Sequence, residues 1–271
     1  MATSIPLVCL CAGLSSRFGG KIKQFAQVGP NGETLIEVSM NQAIQAGFNK
    51  IIFIVGNMTE QPFKQKFSNT YKGIPISYAL QTYDPKKRDR PWGTIDAVVA
   101  AKDAIKGNFV VCTGDDIFGE AAFKEAHKFA ARGAGEAAAI AYKLKNVMPK
   151  TGLINRGVIT RVQGGYVEEI TEITGIDVTN IGGKGLAPDS LCSMVFFCFP
   201  KNVLELLEER LNRFKEAHVN DRKIECYLPF ELTALIREKK LAMKVLPTKG
   251  KWIGITNPGD EEEVRKALAD N

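Results

Sequence analysis

The feature that most constrains this chain is a set of short apolar runs, "PLVCLC", "KIIFIVG", "IPISYAL" and "NFVVCTG", separated by segments with helical patterning. Runs of this length are far too short to span a bilayer; "PLVCLC" and "KIIFIVG" suit strands buried in a parallel sheet, and "IPISYAL" and "NFVVCTG" read as a third and fourth strand. Parallel strands need crossover connections, and the intervening segments supply helices. In "TLIEVSMNQAIQAG", Thr34 and Glu37 have capping-box spacing and Gly47 is a stop signal. "TEQPFKQKFSN" reads as a short helix and "TIDAVVAAKDAIKG" as a helix ended by Gly107. The alternation over residues 5 to 145 predicts an open α/β sheet, and ligands in such sheets collect beyond the carboxyl ends of the strands.

After "AAAIAYKL" the rhythm changes. "LINRGVITRVQGGYVEEITEI" predicts two strands joined at Gly164 and Gly165, an antiparallel insertion over the sheet's edge. "SLCSMVFFCF" resumes a buried strand, Pro200 opens a helix "KNVLELLEERLNRF", and "YLPFELTALIREKK" gives another. A last helix is expected after Asn257 and Pro258. The 271 residues suit one domain with two halves, 1–145 and 146–271.

Composition narrows the function. A net charge of +6 with no basic arm favours anionic small molecules over nucleic acid. The six cysteines lie mostly in apolar runs and read as reduced thiols of a cytoplasmic protein; Cys9 and Cys11 lack a second pair at zinc spacing. The N-terminal run has no basic n-region, so neither a signal peptide nor a membrane anchor is expected. A homo-oligomer is compatible with this composition.

Two places carry candidate chemistry. In "LCAGLSSRFGGKIKQF", Gly13, Gly19 and Gly20 let backbone N–H groups approach an anion, while Arg17 and Lys23 supply cationic donors for phosphate oxygens. Neither G-x-G-x-x-G nor a P-loop is present. At the end of a later strand, "GDD" places Asp115 and Asp116 side by side. An extended backbone would turn only one of them to the cleft, where a carboxylate shared with phosphates suits Mg2+. Taken alone, each site also reads as an ordinary turn. Both histidines, His127 and His218, fall on helices away from these motifs and read as packing residues.

Taken in order, "LCAGLSSRFGGKIKQFAQVG", "PWGTIDAVVAAKDAI" and "GDDIFG" resemble the motifs of the sugar-phosphate nucleotidylyltransferases. The resemblance implies a glycosyltransferase-A-like fold, a mostly parallel open sheet flanked by helices. It also implies a reaction in which a sugar 1-phosphate attacks the α-phosphorus of a nucleoside triphosphate with Mg2+. By it, Ala12, Gly13, Ser15, Ser16 and Arg17 would hold the triphosphate, with Lys23 neutralising the phosphates. Gln81, Gly93 and Thr94 would meet the nucleotide, Asp115 would bind Mg2+, and Gly152 and Glu172 would face the acceptor.

Departures from the family pattern keep two alternatives open. Where many members carry Trp-Leu-Asp-Thr-Gly, with a second metal-binding aspartate, this chain reads "KWIGI", with Gly254 at that place. That change suggests a non-catalytic nucleotide- or sugar-phosphate-binding regulator. The looser match in the second half suggests a cytidylyltransferase acting on a polyol phosphate, phosphocholine or a phosphonate. Of two further loops, "YDPKKRDRPWG" reads as a solvated charge run rather than a lid, and "NIGGKGLAP" as a substrate lid or an ordinary flexible loop.

Overall fold

The computed structural model describes residues 4–13, 19, 21–133, 135–149, 152–255 and 259–269. Strands β1 (Pro6–Leu10), β2 (Lys50–Val55), β4 (Ile74–Leu80) and β5 (Phe109–Thr113) pair in parallel in the order β4-β2-β1-β5. Their apolar runs serve two cores by strict alternation. Leu7 and Cys9 of β1, Ile51, Phe53 and Val55 of β2, and Val110 and Cys112 of β5 belong to one core. Val8, Ile52, Ile54, Phe109 and Val111 belong to the other. A strand with polar residues on either side could not occupy this position.

Helices cover both faces. On the first lie α1 (Leu35–Gln45), α2 (Glu60–Phe67) and α4 (Glu120–Ala131), through Ile36, Met40, Phe63, Phe67 and Phe123. On the second lie α3 (Thr94–Ala100), α5 (Val203–Ala217) and α6 (Leu228–Arg237), through Ile95, Val98, Leu207, Leu211, Leu232 and Leu235. The expected capping box starts α1: Glu37 Oε2 accepts from the Thr34 amide at 2.8 Å and from Thr34 Oγ1 at 2.5 Å. Helix α3 is shorter than its pattern predicts, tightening into a 3-10 turn at Lys102–Ala104 before Ile105 enters the core.

The sheet departs from the expected mostly parallel arrangement in its second half. Strand β10 (Leu191–Phe199) lies between β5 and β7 (Ala137–Lys143), antiparallel to both. Beyond it, β11 (Met243–Pro247) pairs in parallel with β7. A hairpin precedes β10 in the chain, and the pairings through β11 and β7 make its second strand and β10 run in the same direction. That preceding hairpin, β8 (Ile154–Gln163) and β9 (Tyr166–Ile176), turns at Gly164 and Gly165 with φ of 59° and 85°, the two positive values of a tight primed turn. It extends the sheet at its edge, through β11 and β10, instead of lying over that edge. A bulge in β10 between Ser193 and Phe197, with Val195 at φ 55°, lets that strand pair with β7 along its length and with β8 at its start.

Short strands β6 (Asp116–Ile117) and β12 (Ile253–Gly254) form a separate antiparallel pair. With α7 (Glu261–Ala269) they complete a small third core of Val28, Leu35, Ile117, Ile255 and Val264. This core fixes the segment after β5 against the segment that carries Gly254. Strand β3 (Thr70–Tyr71) closes the far edge on β4. Among the described residues no helix is long and apolar enough to cross a membrane.

Candidate active site

A cavity of about 350 Å³ opens where β1, β4 and β5 end, as the parallel sheet dictates. Ala12 and Gly13 form one wall, Gln81, Gly93 and Thr94 a second, and Asp115 with Gln24 a third. Close backbone approach builds this rim. A Cβ on Gly114 would lie 2.3 Å from Cys11 Sγ, and one on Gly56 would lie 3.0 Å from Ala12 O. Ser15, Ser16 and Arg17 lie outside the described residues.

Lys23, in a 3-10 turn at Lys23–Phe25, donates from Nζ to Asp115 Oδ2 at 3.0 Å. The glycine-loop cation and the carboxylate after β5, 92 residues apart in sequence, therefore meet beside the cavity that Asp115 lines. The lysine side chain is 14% exposed and the aspartate 33%, so the pair is sheltered yet open to a ligand. The chain bends at Gly114 and Asp115 instead of staying extended, and Asp116 is not part of the cavity lining. Its Oδ2 accepts from Thr113 Oγ1 at 2.6 Å. Burial, and then the negative charge of Asp115, push the Asp116 carboxyl up to about 7, against opposing pulls from Thr113, Lys23 and Arg156.

Gly254 faces Asp116 across the β6–β12 pair. A Cβ there would stand 2.4 Å from the Trp252 ring and 2.6 Å from Asp116 Oδ1. The tryptophan and the second aspartate of "GDD" thus fill the space that a side chain at 254 would need. Among the described residues no three Asp, Glu, His or Cys side chains form a metal-holding group. Asp115 alone of the two consecutive carboxylates lines the cavity, and one such carboxylate fits Mg2+, which takes one or two carboxylates and completes its shell with phosphate oxygens and water.

At the opposite wall, Gln81 Nε2 donates to Gly93 O at 3.0 Å and to Asp96 Oδ2 at 2.8 Å. Gly93 starts α3 at φ 99°, and a Cβ there would lie 2.5 Å from Cys226 O, so only glycine fits. Thr94 Oγ1 accepts from the Leu228 amide at 2.8 Å, which ties this wall to α6. Sequence reasoning counted Arg90 in the solvated run and missed Glu225; the two pair at 2.7 Å and both line the cavity. It also missed Asp96, whose only signal was a carboxylate on the apolar side of a short helix.

On the acceptor side the two expected residues separate. Glu172 stands in register with Gly157, whose Cβ would lie 3.8 Å from Glu172 Oε2. Gly152 sits in a turn at φ 96° and lines a second cavity of about 470 Å³, together with Arg156, Trp252 and Gly254. Arg156 connects the two places. It donates to Val147 O at 3.0 Å, lies 5.0 Å from the Trp252 ring centre, and its buried Nε has no partner among the described residues. Burial raises the Glu172 carboxyl pKa, and the nearby Arg156 charge opposes the rise. Arg156 was invisible in the sequence as one charge among several in a hairpin.

The charge run after β4 is not uniformly solvated. Arg88 is 3% exposed, lies 3.4 Å over the Trp92 ring, and donates to Asp221 O and Arg90 O at 2.7 and 3.0 Å. Arg222 braces Pro85 O and Lys86 O from the other side. This segment is a strut between the two halves. Near residue 180, Asp177 Oδ1 accepts from Thr179 and Asn180, which organises the second loop from within. His127 packs on Phe48 and His218 on Phe214, as expected. All six cysteines are free and buried.

No curated protein sequence matches the chain at a significant level. Solved structures match it by fold. The inositol-1-phosphate CTP transferase of T. maritima superposes with a TM-score of 0.69 at 13% identity, covering 100% of this chain and 99% of that one. A UDP-glucose pyrophosphorylase complexed with UDP-glucose gives 0.68 at 14%, with 99% of each chain covered. The UDP-glucose pyrophosphorylase of Acinetobacter baumannii gives 0.65 at 15%, covering 97% and 92%. Identities this low carry the glycosyltransferase-A-like fold and not the substrate. The family model for nucleotidyl transferases matches residues 20–253, a span that runs from the Lys23 turn through "GDD" to the edge of Gly254. The chain therefore belongs to the nucleotidyl transferase family, a family of enzymes.

Proposed function

We propose that this enzyme joins a nucleoside triphosphate to a sugar 1-phosphate, giving a nucleotide-sugar and pyrophosphate. The observation that carries the reading is the Lys23–Asp115 pair at 3.0 Å, whose aspartate lines the cavity together with Gln81, Gly93 and Thr94. A triphosphate spanning the cavity meets cationic and metal-binding groups at one end and base-reading groups at the other. Asp115 would hold Mg2+, which supplies charge neutralisation and alignment to the phosphates.

The chemistry then needs positioning and charge control. A phosphate monoester has its second pKa near ~6, so the attacking phosphate is already largely a dianion at neutral pH and no general base is required. Its oxygen forms a bond to the α-phosphorus while the bond from that phosphorus to the bridging oxygen of the β-phosphate breaks. The electron pair leaves with pyrophosphate. Lys23 stabilises charge as it develops on these oxygens, and the glycine loop, Arg17, Ser15 and Ser16 belong to the same grip. The absence of histidine from the described cavity walls agrees with this chemistry.

Glu172, with Gly157 opposite it and Arg156 beside it, is the group suited to accept acceptor hydroxyls. A second reading, transfer from CTP to a polyol phosphate, draws support from the end-to-end structural match to an inositol-1-phosphate CTP transferase. Incubation with Mg2+, each of the four NTPs and a panel of sugar 1-phosphates and polyol phosphates, followed by pyrophosphate measurement, tests both. Turnover confined to sugar 1-phosphates upholds the first reading, and turnover confined to CTP with polyol phosphates replaces it by the second. A folded protein silent across the panel contradicts both.

A further inference from the structure

The Gln81 side chain is held in one orientation by groups the reaction itself does not use. Gln81 is 5% exposed, and its amide nitrogen donates to Gly93 O and Asp96 Oδ2 at 3.0 and 2.8 Å. A peptide carbonyl can only accept, and so can an ionised carboxylate. Asp96 is 7% exposed and is braced from α5, where Lys215 Nζ lies 2.7 Å from Asp96 Oδ1. Turning the amide over would aim its oxygen at two acceptors. Both amide hydrogens are spent on these partners, which leaves Oε1 as the atom Gln81 offers to the cavity it lines.

We infer that Asp96, braced by Lys215, is a positioning residue that locks Gln81 as a pure acceptor, so that the site takes uracil or thymine and rejects cytosine. The inference rests on the reading of this cavity as the nucleotide site. Uracil and thymine carry a hydrogen on ring N3 between two carbonyls, whereas cytosine carries a lone pair there. An acceptor facing N3–H forms a hydrogen bond. Facing the cytosine lone pair, it loses its water and gains nothing. Thr94 complements this pattern: its Oγ1 already accepts from Leu228, and its own hydrogen remains to donate to a base carbonyl.

The test is equilibrium binding of UTP, CTP and N3-methyl-UTP by calorimetry without any acceptor phosphate, so that it is independent of turnover. The wild-type protein is expected to bind UTP on the order of 10- to 100-fold more tightly than either CTP or N3-methyl-UTP. In Asp96→Asn, the carboxamide oxygen is drawn to Lys215 and its N–H2 turns to Gln81, so the lock is lost. The UTP/CTP ratio should fall at least several-fold while circular dichroism stays unchanged. Lys215→Met, changed at the open end of the brace, should move the ratio in the same direction, and Gln81→Leu should bring it close to one. Equal binding of UTP and CTP, tighter CTP, or a ratio untouched by Asp96→Asn and Lys215→Met overturns the inference and leaves the nucleotide site standing. Binding of no nucleotide at all overturns the nucleotide site and the inference with it.

Discussion

Replacing Lys23 by methionine removes one charge from beside the cavity that Asp115 lines and keeps most of the apolar stem. In the folded protein Nζ lies 3.0 Å from Asp115 Oδ2, with the lysine only 14% exposed. At an effective dielectric of about 20, a unit charge at that separation interacts by roughly 5 kcal/mol before desolvation is subtracted. The part exerted on a transferring phosphoryl group compares with other preorganised donors, about 3–4 kcal/mol, or on the order of 10²- to 10³-fold in kcat. Stability should change far less, because Asp115 remains open to water and a sheltered pair at a cavity mouth is worth little, about 1 kcal/mol or below. The assay is continuous pyrophosphate release at saturating Mg2+, with thermal unfolding run alongside. Lys23→Arg keeps the charge on a planar fork and should fall between wild type and Lys23→Met. A Lys23→Met enzyme within about threefold of wild type in kcat/KM, where on the order of 10²-fold is expected, would refute the assignment of Lys23 to the transferred phosphates.

Two further outcomes follow from the same geometry. Gly254→Asp drives a Cβ into the Trp252 ring and Asp116 Oδ1, at 2.4 and 2.6 Å, so it should cost about 1–3 kcal/mol in denaturant unfolding. It should not improve Mg2+ dependence, and a gain in both stability and activity would show that Trp252 moves freely aside. Because the Asp116 carboxyl titrates at about 7 in the fold against 3.8 as its ordinary value, the metal-free fold binds the proton more tightly than the unfolded chain does. Its contribution is complete below about 4 and is lost as pH rises to about 7. Metal-free unfolding should therefore show stability falling across that window, Asp116→Asn should flatten the fall, and a rise in stability attributable to Asp116 would contradict it.

Much of the fold was legible because burial on two faces writes a continuous apolar run. Such runs placed β1, β2 and β5, and local chemistry placed the Thr34 capping box and the Gly164–Gly165 turn. Pairing partners were not legible. "SLCSMVFFCF" announces a buried strand, but nothing in its period says that β10 runs antiparallel between β5 and β7. The acceptor side failed for the same reason: hairpin register, not spacing along the chain, sets Gly157 opposite Glu172 and leaves Gly152 beside Trp252. Arg88 read as solvated because its partners, Trp92 and the carbonyl of Asp221, come from a nearby turn and from 133 residues away. The Lys23–Asp115 meeting was readable because both residues follow strands that end at the same sheet edge.

The proposed reaction is tested most directly by following phosphorus through one turnover. UTP labelled at the α-phosphorus is incubated with glucose 1-phosphate, Mg2+ and the enzyme, and the products are separated and counted against released pyrophosphate. The account requires the label in a nucleotide-sugar, one pyrophosphate for each molecule formed, and loss of both in Lys23→Met and Asp115→Asn. Label remaining in free nucleotide while orthophosphate appears would mean hydrolysis at another phosphorus, and would contradict attack at the α-position.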